Sequence, residues 1–147
     1  MSNPKGAHKG RQTQWATQFL AAAELIRRGC TVAFTQGNNT PVADLMVGSR
    51  ASKLFWVDVK GLSSKNPWLI TPKAARDDLF YILVLLSPLA DNPKERTADR
   101  FFILTQAEAN NLEAEYMRTH PNDKGTIRGF AFKDAAAYED KWDKLPT

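Results

Sequence analysis

Leu54-Phe55-Trp56-Val57-Asp58-Val59-Lys60 is the stretch on which the reading of this chain turns. A strand is predicted over Leu54–Val59. Alternate side chains of a strand share a face, so Phe55, Val57 and Val59 point one way and Trp56, Asp58 and Lys60 the other. The first set suits a core. The second places a carboxylate and an ammonium two rises apart, roughly 6–7 Å. Just upstream, Val42–Val47 is another apolar strand carrying Asp44, joined to the first through Gly48-Ser49-Arg50-Ala51-Ser52. Pairing through that turn brings Asp44 toward Asp58 near the strand ends. Two converging carboxylates repel unless a cation or a proton lies between them. An all-oxygen pair of this kind suits Mg2+ or Mn2+ rather than zinc. Lys60 alongside would orient or deprotonate a water, or stabilise charge developing on a phosphate. The same Asp-x-Lys pattern also describes a solvated ion pair worth about 0–1 kcal/mol, and Asp44 alone also suits a turn or cap.

Outward from this pair, Met1–Gln12 is polar and basic and reads as a flexible arm, with one domain over residues 13–147. Thr13–Arg28 reads as a helix, with Trp15, Phe19, Ala22 and Ile26 as its apolar stripe and Gly29 as its stop. Thr31–Thr35 is a short strand before the breaker cluster Gly37–Pro41. Past Lys60, a loop over Gly61–Pro67 leads to Trp68–Ile70 and a short crossover, Thr71–Asp77. Leu79–Leu86 shows no alternation, which suits a strand buried on both faces. Phe101–Thr105 is a strand and Gln106–His120 an acidic helix. Ile127–Phe132 reads as a last edge strand and Ala135–Trp142 as a short helix. This order predicts an α/β protein, a three-layer α/β/α sandwich with a mixed central sheet.

Composition narrows the function. Residues 1–76 hold eleven Lys or Arg against three acids, Glu24, Asp44 and Asp58, a balance of +8; residues 77–147 hold nine against thirteen, a balance of −4. A basic half favours a polyanion, nucleic acid before an anionic membrane surface. One cysteine, Cys30, makes neither an internal disulfide nor a thiolate metal site, and His8 and His120 are unsuited to zinc or a Ser/His/Asp triad. No apolar signal core or membrane-length run occurs, and no glycine-rich phosphate loop, so a soluble, cytoplasmic protein with no membrane partner is expected.

A helix, then Pro41-x-x-Asp44, then Asp58-x-Lys60, resembles the PD-(D/E)XK nuclease superfamily, in the style of small stand-alone Holliday-junction-resolvase-like members. The resemblance covers roughly residues 13–105, with Phe19–Gly29 and Val57–Gly61 the most similar stretches. It implies a restriction endonuclease-like αβββαβ core and a metal-dependent endonuclease acting on duplex or branched DNA, in repair or recombination. It implies Asp44, Asp58 and the Val59 carbonyl as Mg2+ (or Mn2+) ligands and Lys60 as the catalytic lysine, and it allows a homodimer. Two departures stand out. The proline of the motif lies three residues before Asp44, with Ala43 adjacent to it. Where many members carry a helix glutamate, this chain has Gln18, about 80° from the centre of the apolar stripe, whereas Glu24 lies about 160° away. Gln18 would ligate the metal or hold a water as a neutral donor.

Lys9, Arg11, Arg50, Lys53, Lys65 and Lys73 are expected as phosphate contacts near the metal site, supplying affinity without sequence information; each also reads as an ordinary surface cation. Trp68 suits either base stacking or the core, and Trp15 and Trp142 are assigned to the core. Two further readings remain open: a catalytically weak or inactive nucleic-acid-binding module of the same fold, and an accessory protein that binds a partner through the acidic 106–120 helix.

Overall fold

The computed structural model describes residues 4–35, 43–88, 90–121 and 128–147, with side chains described from residue 10 onward. The chain runs as helix α1 (Pro4–Arg27), strands β1 (Thr31–Phe34), β2 (Leu45–Gly48), β3 (Leu54–Leu62), β4 (Trp68–Leu69), β5 (Leu79–Leu85) and β6 (Arg100–Thr105), helix α2 (Gln106–Thr119) and strand β7 (Gly129–Phe130). Short 3-10 turns follow over Phe132–Tyr138 and Trp142–Lys144.

Five strands form one mixed sheet in the order β1-β2-β3-β5-β6, with β3 and β5 parallel and every other neighbouring pair antiparallel. On one face α1 packs Ala21, Ala22 and Leu25 over Leu45, Val47, Phe55, Val57, Val59, Ile82 and Val84. On the other, α2 and the C-terminal turns close over Tyr81, Leu83, Phe102 and Leu104, together with Trp68 and Phe130 of the β4–β7 pair. The fold is therefore the expected α/β sandwich around a mixed sheet. β5 is buried along its whole length, as a continuous apolar run requires between two covered faces. Thr105 caps α2 by a reciprocal bond with Glu108, which fixes the turn from β6 into the helix.

Several boundaries differ from expectation. The first twelve residues are helical from Pro4; proline suits the first helical turn, where its missing N–H has no partner to lose. The strand expected over Val42–Val47 starts at Leu45, and the breaker cluster, Pro41 and Val42 lie outside the described residues. The segment expected as a last edge strand pairs with β4 in its own two-stranded sheet, Trp68 opposite Phe130. Between β3 and β5 the chain forms β4 and no helix, so the second helix of the αβββαβ pattern is lacking there.

The buried face of α1 is the largest correction. Trp15, Phe19 and Ile26, expected in the core, are 50%, 59% and 56% exposed, while Thr17, Gln18, Ala21, Ala22 and Leu25 face the sheet. The reason is close approach. A Cβ at Gly61 of β3 would overlap the Thr17 side chain, so the helix lies too near the strand for aromatic rings to fit between them. Small side chains take the interface and the rings are displaced outward.

Candidate active site

β2 is four residues long and β3 nine, and this mismatch builds the site. Leu45 is the register partner of Val57, so β3 continues from Asp58 onward with no β2 residue beside it. Main-chain groups left at such an edge need other partners. The Val59 N–H donates to Asp44 Oδ2 at 2.8 Å, and Gln14 Nε2 donates to the Val59 carbonyl at 3.5 Å. Asp44 is itself fixed through its backbone: its N–H donates to Val57 O at 3.1 Å, and its carbonyl accepts from the Thr35 N–H and hydroxyl, each at 3.0 Å. A carboxylate thus stands where the next strand residue would have been.

Asp58 projects from β3 onto the α2-side face and is 4% exposed. Lys60, on the same face two residues on, brings Nζ to 3.7 Å from Asp58 Oδ1, and Lys73 Nζ donates to Asp58 Oδ2 at 3.0 Å. The Asp44 carboxyl is pushed up to about 7, first by burial, then by a hydrogen bond with Asp58 and by the Asp58 charge; the Val59 N–H and Lys60 pull the other way. Below neutral pH the folded chain therefore holds a proton on Asp44, beside Asp58. Tyr81, the register partner of Asp58, is fully buried, and its hydroxyl has no hydrogen-bond partner among the described residues. Burial and the Asp58 charge push that phenol up to about 12.

The expected residues divide into three groups. Asp44, Asp58, Val59 and Lys60 come together as expected. Lys73, expected on a phosphate, instead pairs with Asp58. Gln106 holds its loop in place: Oε1 accepts from the Arg76 N–H, and Nε2 donates to the carbonyls of Lys73 at 3.3 Å and Ala74 at 2.9 Å. On α1 the amide that reaches Val59 is Gln14. Gln18 lies one turn further along the same buried face.

Arg50 and Lys53 are not at the site. The register pairs Gly48 with Leu54, so their turn lies at the far end of β3, four residues or roughly 13 Å before Asp58. There the Arg50 side chain packs beside Gly29. Lys65 sits past the end of β3 with Nζ 5.9 Å from the centre of the Phe132 ring. Arg11 is exposed on α1, one turn before Gln14, and the Lys9 side chain lies outside the described residues. Trp68 is fully buried against Phe102 and Phe132, which removes it as a base-stacking residue.

Among the described residues, no group of three or more His, Cys, Asp or Glu side chains could hold a metal ion. The donors at the site are two carboxylates and one main-chain carbonyl, all hard oxygens, set where like charges converge. Their chemistry fits a small divalent cation of the Mg2+ class and does not fit zinc. Gln14 and Thr35, which the sequence reading passed over, are the residues that aim these donors; each is recognisable only once the end of β2 is known. No helix among the described residues is long and apolar enough to cross a membrane.

Comparison with known proteins yields no match to any protein-family model and no significant match to a curated protein or a solved structure.

Proposed function

We propose that this chain is a metal-dependent endonuclease of the PD-(D/E)XK kind, cytoplasmic, hydrolysing phosphodiester bonds in DNA. The observation that carries the reading is the convergence of Asp44 and Asp58 where β2 gives out beside β3, with Lys60 on the face of Asp58. Asp44, Asp58 and the Val59 carbonyl would hold Mg2+ or Mn2+, which when bound supplies positive charge to polarise a phosphoryl oxygen. Asp44 is aimed by the Val59 N–H, so its second oxygen remains for the ion. Lys60 has a third of its side chain exposed, so its ammonium can meet an incoming phosphate while remaining near Asp58. It would stabilise charge developing on the phosphate or take part in moving the proton of the attacking water. Lys73 neutralises Asp58 before the substrate arrives and can turn to the phosphate when a cation replaces it.

Two observations favour a second reading, a nucleic-acid-binding module with weak or no cleavage: the α1 side chain that reaches Val59 is the neutral amide of Gln14, and both oxygens of Asp58 already face ammonium groups. A nuclease assay on plasmid and branched DNA with Mg2+ or Mn2+ separates the two. Cleavage by the wild type, lost in Asp58→Asn and Lys60→Ala, supports the enzyme. Cleavage that survives either substitution overturns it, and salt-dependent binding without cleavage supports the module.

A further inference from the structure

The residues displaced from the interface beneath α1 form a surface of their own. Arg11, Trp15 and Phe19 follow one another at four-residue spacing, which places them along one side of α1. Trp15 stacks on Phe19 with ring centres 5.9 Å apart and planes at 29°, and Phe19 meets Phe34 of β1 at 5.4 Å. All three rings are largely exposed, Phe34 at 43%. Aromatic side chains rarely collect in contact at a surface without a partner.

This surface adjoins the strand edge that carries Asp44 from two directions. Trp15 follows Gln14, whose amide touches Val59. Phe34 precedes Thr35, which holds the Asp44 carbonyl, and it lies two strand spacings, about 10 Å, from Val57 across the rungs Phe34–Leu45–Val57. A chain laid along this rim would meet a cation at Arg11, flat rings at Trp15 and Phe34, and the Asp44 edge of the proposed cleavage site, with Asp58 and Lys60 reached across the strand edge on the other face of the sheet.

We infer that Trp15, Phe19 and Phe34 are a stacking platform for unpaired bases, and that the polyanion bound here is a nucleic acid with a single-stranded segment. The inference rests on the nucleic-acid reading of the adjoining site and names its substrate class. Charge chooses this occupant over a second copy of the chain: residues 1–76 carry a balance of +8, Arg11 lies in line with the rings, and two copies would bring like charges together. A duplex hides its base faces and would leave the rings idle, whereas every unpaired base offers one.

The test is binding in EDTA, where no cleavage is needed and failure of the nuclease reading cannot be mistaken for failure of this one. Oligo-dT of fifteen nucleotides and a blunt duplex of equal length are titrated at one salt concentration, following tryptophan emission and anisotropy. The single strand is expected to quench emission and to bind at least about tenfold tighter than the duplex. Trp15→Ala should weaken single-strand binding about 5- to 150-fold, the range that one base–aromatic stack supplies, while Trp15→Phe retains most of it. Trp15 is half exposed, so both variants should keep the wild-type circular dichroism spectrum. Equal or tighter duplex binding, or an unchanged Trp15→Ala affinity, overturns the inference. A wild-type dimer that Trp15→Ala dissociates, with oligonucleotide binding unaltered, overturns it in favour of self-association.

Discussion

The carboxylate of Asp44 accepts the main-chain N–H of Val59 at 2.8 Å, so an ionisable side chain completes the edge of a strand to which it does not belong. The bond gives Asp44 two duties, one in stability and one in chemistry, and different substitutions part them. Asp44→Asn keeps an oxygen acceptor for Val59 and removes the charge. Asp44→Ala leaves the N–H unpaired, at a cost of about 1–3 kcal/mol. Urea denaturation at neutral pH should find Asp44→Ala less stable than Asp44→Asn by that margin, with both inactive.

Stability should fall with pH because of the same residue. The folded-state pKa of Asp44 lies near 7, above its unfolded value of 3.8. Between these values the folded chain holds a proton that the unfolded chain has lost, so this contribution is full below pH 3.8 and is lost as pH rises toward 7. The melting temperature of Asp44→Asn should lack this component. Its difference from wild type should grow in favour of the variant from pH 4 to 7 and then level off. A difference that is flat across the range would rule out the raised pKa.

Cation binding should have the opposite pH dependence. A divalent ion must displace the proton on Asp44, so Mn2+ affinity should rise up to tenfold per pH unit below 7 and flatten above it. Calorimetry in buffers of different ionisation enthalpy should find a proton released on binding near pH 6 and little release at pH 8.

The two lysines at Asp58 should separate. Lys60→Met is expected to lower the cleavage rate about 100- to 10,000-fold and leave Mn2+ affinity equal or tighter. Lys73→Met removes an ammonium 3.0 Å from Asp58 Oδ2 and should tighten Mn2+ binding. Weaker Mn2+ binding in Lys73→Met would show that the lysine does not compete for the carboxylate.

Gly61→Ala tests the close approach of α1. The added methyl would overlap Thr17, and the fold should lose about 1–3 kcal/mol in urea denaturation. Thr17→Ala in the same chain removes the Oγ1 and Cγ2 atoms that the methyl meets and should restore part of the loss.

The strand-borne half of the site was legible because period-two alternation is a local property. Phe55, Val57 and Val59 enter the core, and Asp58 and Lys60 share the other face, as the pattern of residues 54–60 requires. The helix face was not legible. The apolar stripe through Trp15, Phe19 and Ile26 is real, but packing distance decides which stripe is buried, and that distance is set by Gly61 on another element. Glu24, placed about 160° from that stripe, is half-buried and pairs with Arg28. Lys73 and Gln106 meet through a loop whose course no periodicity encodes. The remoteness of Arg50 and Lys53 follows from the hairpin register, since a turn between two strands lies at one end of both.

The early end of β2 also bears on solubility. Beyond Leu45 no β2 residue pairs with β3, and unpaired main-chain donors and acceptors on a strand flank are the kind of template that captures strands from other chains. The Asp44 carboxyl and the Gln14 amide occupy the first two of these groups, so a residue proposed to hold the ion also acts as a gatekeeper. Variants that strip them, Asp44→Ala above all, should form β-rich aggregates sooner than Lys60→Ala, and this propensity is independent of catalysis.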